Sequence, residues 1–426
     1  MDISVEEVST VDKEITIKAD NKDLDPKFDK ALRQYRKSIN MPGFRPGQVP
    51  LSIVKKRYGK EIEMEEIQNY VSEVFRDEIV PKHNPIGEPK FEDLKWEDGQ
   101  LEVKIKIGTK PEFDLVDVES VEVDQMVHDV TDKEVDEEIE RQLEQKGEWS
   151  EKETAAGKED KVVVDAVALD KDGKPKESDK DEDQELDLRD EKNKEFADAL
   201  KGKKAGDTTT VELGDDDEKE KFELTVKKVL ELNVPELNDE LAQELSNKEA
   251  KTIDEYKGLI KSRIQQYYDQ TAQNMAKNEI ADKLVEAHDF EVPELLVGQI
   301  QNNYVQQVKK QYGDNIPADF DEEEYKNNMK DRAVKDAKWF FISDKFQEKY
   351  EIEIDAEDID AHLAEEAARY GLSVDMMKQF YASSNEQLEQ LRMNIRDEKL
   401  FDKLLEEVKV NELSKEAYQD KHQEKE

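Results

Sequence analysis

The 426-residue chain contains no cysteine. That excludes disulfides, thiolate metal sites and a cysteine nucleophile. Its five histidines are scattered and never take the HExxH spacing, so no zinc chemistry is expected and no metal or other cofactor is called for. No GxxxxGK[ST] stretch occurs, which removes the usual phosphate-cradling loop. No run approaches the ~20 apolar residues that span a bilayer. Met1-Asp2-Ile3-Ser4 lacks a basic region followed by an apolar one, so no secretory leader and no membrane partner are expected, and a soluble cytoplasmic protein is the default. Only 35% of residues are hydrophobic against 41% charged, too polar for one large core. The length predicts two to four domains with much surface.

Acid is in large surplus: 109 Asp and Glu against 66 Lys and Arg, a formal charge of -43. Such a surface repels polyanions except at a local basic patch. One window breaks the rule. From Lys30 to Lys60 there is no acid, while Lys30, Arg33, Arg36, Lys37, Arg45, Lys55, Lys56, Arg57 and Lys60 give it a charge of +9. Its centre, Met41-Pro42-Gly43-Phe44-Arg45-Pro46-Gly47-Gln48-Val49-Pro50, is too rich in Gly and Pro to be helix or central strand. It presents an aromatic ring beside a planar cation, the residue types that dominate binding hot spots. The expectation is a positive tip that docks on a polyanion.

The stretch Gly43-Phe44-Arg45-Pro46-Gly47-Gln48-Val49-Pro50 resembles the ribosome-docking signature of the trigger factor family, Gly-Phe-Arg-x-Gly-x-x-Pro, at all five fixed positions. The resemblance implies that Gly43, Phe44, Arg45, Pro46, Gly47 and Pro50 bind the ribosome. Arg33, Arg36, Lys37, Lys55, Lys56 and Arg57 then form the basic tip around them. It implies as partners the large ribosomal subunit at the exit tunnel, through a ribosomal protein and rRNA, and unfolded nascent polypeptides. Members of the family can also self-associate off the ribosome.

The fold class expected is multidomain α+β. Residues 1–111 read as an α+β domain. Two strands cover 1–20, and a helix starts at Asp23-Leu24-Asp25-Pro26 with an Asp cap and Pro in its first turn. A short helix after the loop ends at Gly59, a longer one runs from Ile62 to Val80, and a half-buried strand covers Leu101–Ile107. Residues 112–150 form a connector that packs on another domain. Val121 and Val123 suggest a strand, and Thr131 and Glu134 form a capping box for a helix ending near Gly147 and Trp149.

Residues 151–231 read as a small β-rich domain with strands at 162–169 and 222–229. Phe196 to Asp207 is similar to the helix-plus-turn segment of FK506-binding-type prolyl isomerases, where an aromatic precedes a Gly-x-x-x-Gly turn. The resemblance implies a rotamase pocket with Phe196 and Phe222 as its rings. Such a pocket works by apolar, aromatic walls around a twisted proline. Between Lys171 and Glu195 the side chains are nearly all charged, and the flap at 214–221 has no aromatic. The residues themselves therefore read as a shortened, catalytically poor domain, and no catalytic residue is assigned.

Residues 232–426 read as all-helical and elongated. Helices are expected at about 253–285, from Pro293 to Gly313, at about 321–350, at 358–370 and at 388–408, with a charged, frayed tail from Glu412. Met329, Met376, Met377, Phe380, Tyr381 and Met393 are candidates for an adaptable apolar surface that holds clients. Each also sits at a spacing that ordinary helix packing would use. The function expected is an ATP-independent chaperone. The alternatives are a helical holdase or adaptor without ribosome contact, and a free-standing prolyl isomerase.

Overall fold

The protein is seen in a computed structural model that describes residues 1–45, 47–170, 174–213, 220–317 and 320–423. The chain divides into two compact units, Met1–Met126 with Gln273–Glu426 and Val127–Ala272.

The first unit begins with a four-stranded antiparallel sheet. Strands β1 (Asp2–Glu7), β2 (Asp12–Asp20), β3 (Ile86–Glu97) and β4 (Gln100–Gly108) lie in the order β1-β2-β4-β3. Period-two alternation does the sorting. Ile15 faces Ile105 and Ile17 faces Val103 across the β2–β4 ladder. Helices α1 (Asn21–Ser38) and α2 (Leu51–Val74) cover that face with Leu24, Phe28, Ile67, Tyr70, Val71 and Val74. Helix α1 starts earlier than its sequence suggests. The cap is Asp20, whose side chain accepts from the Lys22 amide at 2.8 Å, while Asp23 returns a bond to the Asp20 amide at 3.3 Å. Asp23 is thus the third helical residue of a capping box, and Pro26 falls in the second turn. Gly59 does not end a helix either. It lies buried inside α2, where Val54, Ile62 and Ile67 keep the same helix packed past it. A wider π-turn, Phe75–Ile79, then leads into α3 (Val80–His83). It falls just before Pro81, whose ring cannot sit over an ordinary i-4 carbonyl. Strand β3 escaped the sequence reading because Gly87, Pro89 and two register shifts break its alternation.

The second unit opens with α4 (Asp132–Lys146). Its capping box is as the sequence predicts: the Glu134 amide donates to Thr131 Oγ1 at 3.3 Å and the Thr131 amide to Glu134 Oε2 at 2.9 Å. That backbone donor, against the opposing effect of burial, holds the Glu134 carboxyl down to about 2. Strands β6 (Glu148–Lys152), β7 (Lys161–Leu169), β8 (Pro175–Asp187), β9 (Thr208–Leu213) and β10 (Glu220–Asn233) make one sheet, with α5 (Lys194–Leu200) between β8 and β9 in sequence. The order is β6-β10-β7-β8, with β9 and β6 paired to successive parts of β10. Trp149 is a strand residue of β6 opposite Leu232, not the end of α4. Strand β8 is almost entirely charged, so only its backbone pairing with β7 identifies it. Helices α6 (Asp239–Leu245) and the first half of α7 (Ile253–Ala287) pack on α4 through Ala242, Tyr256, Ile260, Val135 and Ile139.

The first unit resumes at Gln273 with the rest of α7. There follow α8 (Glu294–Tyr312), α9 (Glu322–Asn328), α10 (Lys330–Lys349), α11 (Ala356–Tyr370), α12 (Val374–Ala382) and α13 (Asn385–Glu407). The expected helix over 321–350 is two helices, broken at Met329 after Asn327-Asn328, residues that compete with their own backbone. As far as Gln423 the tail is not frayed. It forms β11 (Lys409–Ser414), paired with β5 (Glu122–Val127), and then α14 (Lys415–Gln423). The linker is anchored too. Val121 and Val123 join Ile280, Leu284, Ile342, Phe346, Leu400 and Leu404 in one core. Buried His288 accepts from the Val116 amide at 3.1 Å and faces the Leu284 carbonyl at 2.6 Å. Among the described residues no helix is long and apolar enough to cross a membrane.

Candidate functional site

The loop between α1 and α2 is held from below and open above. Leu32, Ile39, Met41, Val49, Val54 and Ile62 form a small core of their own beneath it. Tyr35 and Tyr58 pack ring to ring at 5.2 Å beside that core. Within the loop the Phe44 amide donates to the Met41 carbonyl at 3.1 Å, and the Gln48 amide to the Arg45 carbonyl at 2.9 Å. Gly43 and Gly47 take φ of +90° and +77° with no atom near a built Cβ. Backbone conformation alone requires glycine at these two positions. Phe44 and Arg45 are exposed between them, and Pro50 ends the loop exposed at the start of α2. Pro46 lies outside the described residues.

The flanking cations share that exposure. Lys30, Arg33, Lys37, Lys55, Lys56, Arg57 and Lys60 are exposed and Arg36 is half-buried. None of the nine basic residues from Lys30 to Lys60 makes an ion pair with a described residue. Elsewhere lysines are commonly paired, as Lys27 is with Glu73 at 2.6 Å or Lys257 with Asp136 at 2.7 Å. The Arg36 Nε is buried without a hydrogen-bond partner among the described residues. A cluster of unneutralised cations in so acidic a chain concentrates positive potential at this end of the α1–α2 hairpin.

The six apolar candidates in the helices separate on inspection. Met376, at 57% exposure, and Phe380, at 55%, stand one turn apart on α12 and so share a face. Met393 on α13 is also exposed. Met377 is turned inward, packed with Leu363, Ala367, Leu391 and Ile395, and is corrected to a core residue. Tyr381 is half-buried with its hydroxyl 3.1 Å from Glu366 Oε2, and Met329 is half-buried at the α9–α10 break. Sequence reading missed Tyr370 and Leu372, both exposed and flanking the Gly371 helix stop. An aromatic and a leucine beside a helix-ending glycine were the available signal.

In the second unit, Phe196 and Phe222 are half-buried and lean on the core of Val162, Val164, Leu200, Leu224 and Val226. The flap residues Gly214–Lys219 lie outside the described residues. Next to that core the sheet carries an ion-pair lattice. Lys227 Nζ lies 2.5 Å from Asp183 and 3.6 Å from Asp165, and the Asp183 amide donates to Asp165 at 3.0 Å. That amide, ahead of the neighbouring lysines, holds the Asp165 carboxyl below its ordinary range despite some burial.

Among the described residues one group could offer metal ligands. Asp124, Glu279 and His422 bring ligand atoms within 4.8 Å of one another. The Lys421 ammonium sits 2.6 Å from Asp124 and already neutralises it.

The chain is similar to known proteins over nearly its whole length. The model of the family described as bacterial trigger factor protein matches residues 1–142, and that of its C-terminus matches residues 252–406. The trigger factor of Salinibacter ruber is 30% identical over 98% of this chain and 96% of its own length. That of Chlorobaculum tepidum is 32% identical over 96% of this chain and 97% of its own. A solved structure from work on promiscuous substrate recognition in folding and assembly by the trigger factor chaperone covers 95% of this chain, with a TM-score of 0.53 at 23% identity. At that identity the likeness is one of fold.

Proposed function

The chain belongs to the trigger factor family, and we propose that it is an ATP-independent chaperone that docks at the ribosomal exit tunnel and shelters emerging polypeptides. The observation that carries the reading is the α1–α2 tip. Its nine cations have no described ion-pair partner, and Phe44 and Arg45 stand exposed on a loop that a buried core holds in place. Cations without acidic partners gain most from rRNA phosphates, because release of condensed counterions drives that contact. The ring and the guanidinium supply the specific contact with a protein beside the rRNA.

Clients are taken by apolar surface on the helices, with Met376, Phe380 and Met393 exposed for it. Flexible, polarizable methionine suits a site that must accept many sequences. Binding of this kind is weak and reversible, so release needs no nucleotide. Four segments divide the work: 1–111 docks, 112–150 connects, 151–231 is the isomerase-like domain, and 232–426 holds clients. Catalysis of proline isomerisation is the minor part of the reading, since the two rings available to it lean on the domain core. Both docking and release place the protein in the cytoplasm.

The test is co-sedimentation with bacterial ribosomes at moderate salt, comparing the parent with a Phe44→Ala/Arg45→Ala variant. The parent should pellet with ribosomes and the variant should stay in the supernatant. If neither pellets across a wide range of salt, the reading fails.

A further inference from the structure

Helix α8 has no cap of its own. The residue before its first turn is Pro293, which has no side-chain acceptor. The Glu294 amide, an orphan donor of the first turn, is instead taken by Asp12 of the β1–β2 turn, with Oδ1 at 3.1 Å. A carboxylate there satisfies the donor as a local Asp cap would and faces the positive end of the helix. Other contacts reinforce the same joint. Thr10 donates to Glu291 Oε2 from its hydroxyl at 2.7 Å and its amide at 3.3 Å. A Cβ on Gly108, at the end of β4, would stand 2.4 Å from Pro293 Cβ, so only glycine permits the approach. A Cβ on Gly87 would stand 3.2 Å from the Leu296 amide nitrogen. Thr109 ties β4 to the same turn, its amide donating to the Val11 carbonyl at 2.7 Å.

We infer that this joint is a latch: Asp12 caps α8 from outside the helix and thereby fixes the sheet that carries the docking loop to the helical part of the first unit. With the latch closed, the α1–α2 tip and α8 move as one body. With it open, the bonds of Thr10 to Glu291 and the packing of Gly108 on Pro293 remain, but without the cap they hold the sheet loosely and it swings. The inference rests on the geometry of the joint and does not depend on what the tip docks on.

Substitution at Glu294 isolates the latch. Glu294 is the first residue of α8, a position where proline is well tolerated and the N–H is unused by the helix itself. Pro293 already has the extended conformation that a following proline prefers, with ψ at 130°. Glu294→Pro therefore removes the donor to Asp12 while sparing the helix, whereas Glu294→Gln removes the charge and keeps the donor. The full chain has no cysteine, so Met64→Cys on α2 and Tyr312→Cys at the end of α8, both exposed, give a unique pair for spin labels. Pulsed electron–electron resonance should give one narrow distance peak for the parent and for Glu294→Gln. Glu294→Pro should lose that single peak with its far-UV circular dichroism unchanged. A narrow peak in Glu294→Pro overturns the latch, and so does equal broadening in both variants, which would assign the joint to the side chain of Glu294. Ribosome co-sedimentation of Glu294→Pro should equal that of the parent, so failure of the docking reading and failure of the latch are told apart.

Discussion

The amide of Phe44 donates to the carbonyl of Met41 at 3.1 Å, and this one turn sends the two side chains opposite ways. Met41 is buried at 7% exposure in the core under the loop, while Phe44 is exposed at 38%. The two residues should therefore fail differently. Met41→Ala deletes core volume and is expected to cost about 2–4 kcal/mol in unfolding free energy, with ribosome binding retained below the new melting temperature. Phe44→Ala should leave the unfolding free energy within about 0.5 kcal/mol of the parent and lose ribosome binding. Denaturant titration and co-sedimentation on the same samples check both halves.

The cations of the tip make a prediction in salt. If Lys55, Lys56 and Arg57 each contact an rRNA phosphate, replacing all three with Ala reduces the slope of log affinity against log salt by about 2–3. The parent and the variant should then converge at high salt. Parallel lines with a constant offset would mean that these three residues act on the fold of α2 and not on phosphate.

The sequence was most legible where a local signal and burial agreed. Thr131 and Glu134 announced α4, and Gly371, with φ of 65°, ended α11 where its helical pattern stopped. It was least legible where the backbone carries the structure without apolar help. Strand β8 is nearly all charge, and β3 is broken by bulges, so neither shows a period of two. The cap of α1 went to Asp20 because an Asp at the third helical position completes a box that either Asp could have opened. In the candidate site, the loop and its cations could be read from composition alone. Met376 and Met377 could not be told apart, because which of two adjacent residues faces the core depends on how α11 and α13 pack against α12.

The β-rich domain should be a poor isomerase. Phe196 leans on its core, so Phe196→Ala is expected to cost about 3 kcal/mol of domain stability. Cis–trans exchange of a proline tetrapeptide should run close to the uncatalysed rate with the parent and no slower with the variant. Clear acceleration that Phe196→Ala abolishes at temperatures where the domain stays folded would restore the catalytic pocket.

His288 should make the first unit sensitive to mild acid. Its Nε2 accepts from the Val116 amide and its Nδ1 faces the Leu284 carbonyl, an arrangement that the neutral ring satisfies fully. Burial, followed by nearby Lys338 and Lys345, pushes its pKa below the ordinary 6.5. The unfolded chain then binds the proton more readily, so stability rises with pH. The contribution is complete above about 6.5 and is lost as pH falls from there toward the depressed folded value. The guanidinium midpoint, followed through Trp339 against Phe401, should decline between pH 7 and pH 5. His288→Gln should flatten that decline while lowering stability by about 1–3 kcal/mol at pH 7.5, since one amide cannot replace both bonds with the same geometry.

The C-terminal helix α14 should be worth more than its polarity suggests. Asp124 is a buried carboxylate whose compensation comes from beyond β11: the Lys421 ammonium at 2.6 Å and His422 Nε2 at 3.2 Å. Burial pushes its carboxyl up, but the hydrogen bonds and charge of Lys421 and the bond to His422 outweigh it and hold the group below its ordinary range. Removing one partner of a buried ion pair costs more than removing both, because the remaining charge is stranded. Lys421→Met should therefore destabilise the first unit by about 2 kcal/mol, discounted from a fully buried pair because the lysine itself is half-exposed. Adding Asp124→Asn should recover part of that loss, since a neutral amide no longer needs the cation. The same logic fixes the pH response: the depressed carboxyl contributes stability that is complete above the ordinary Asp range and lost as pH falls below it. That loss should vanish in Asp124→Asn. If the double variant is instead less stable than Lys421→Met by the full cost of Asp124→Asn alone, the two side chains are uncoupled, and the buried charge is not what holds α14.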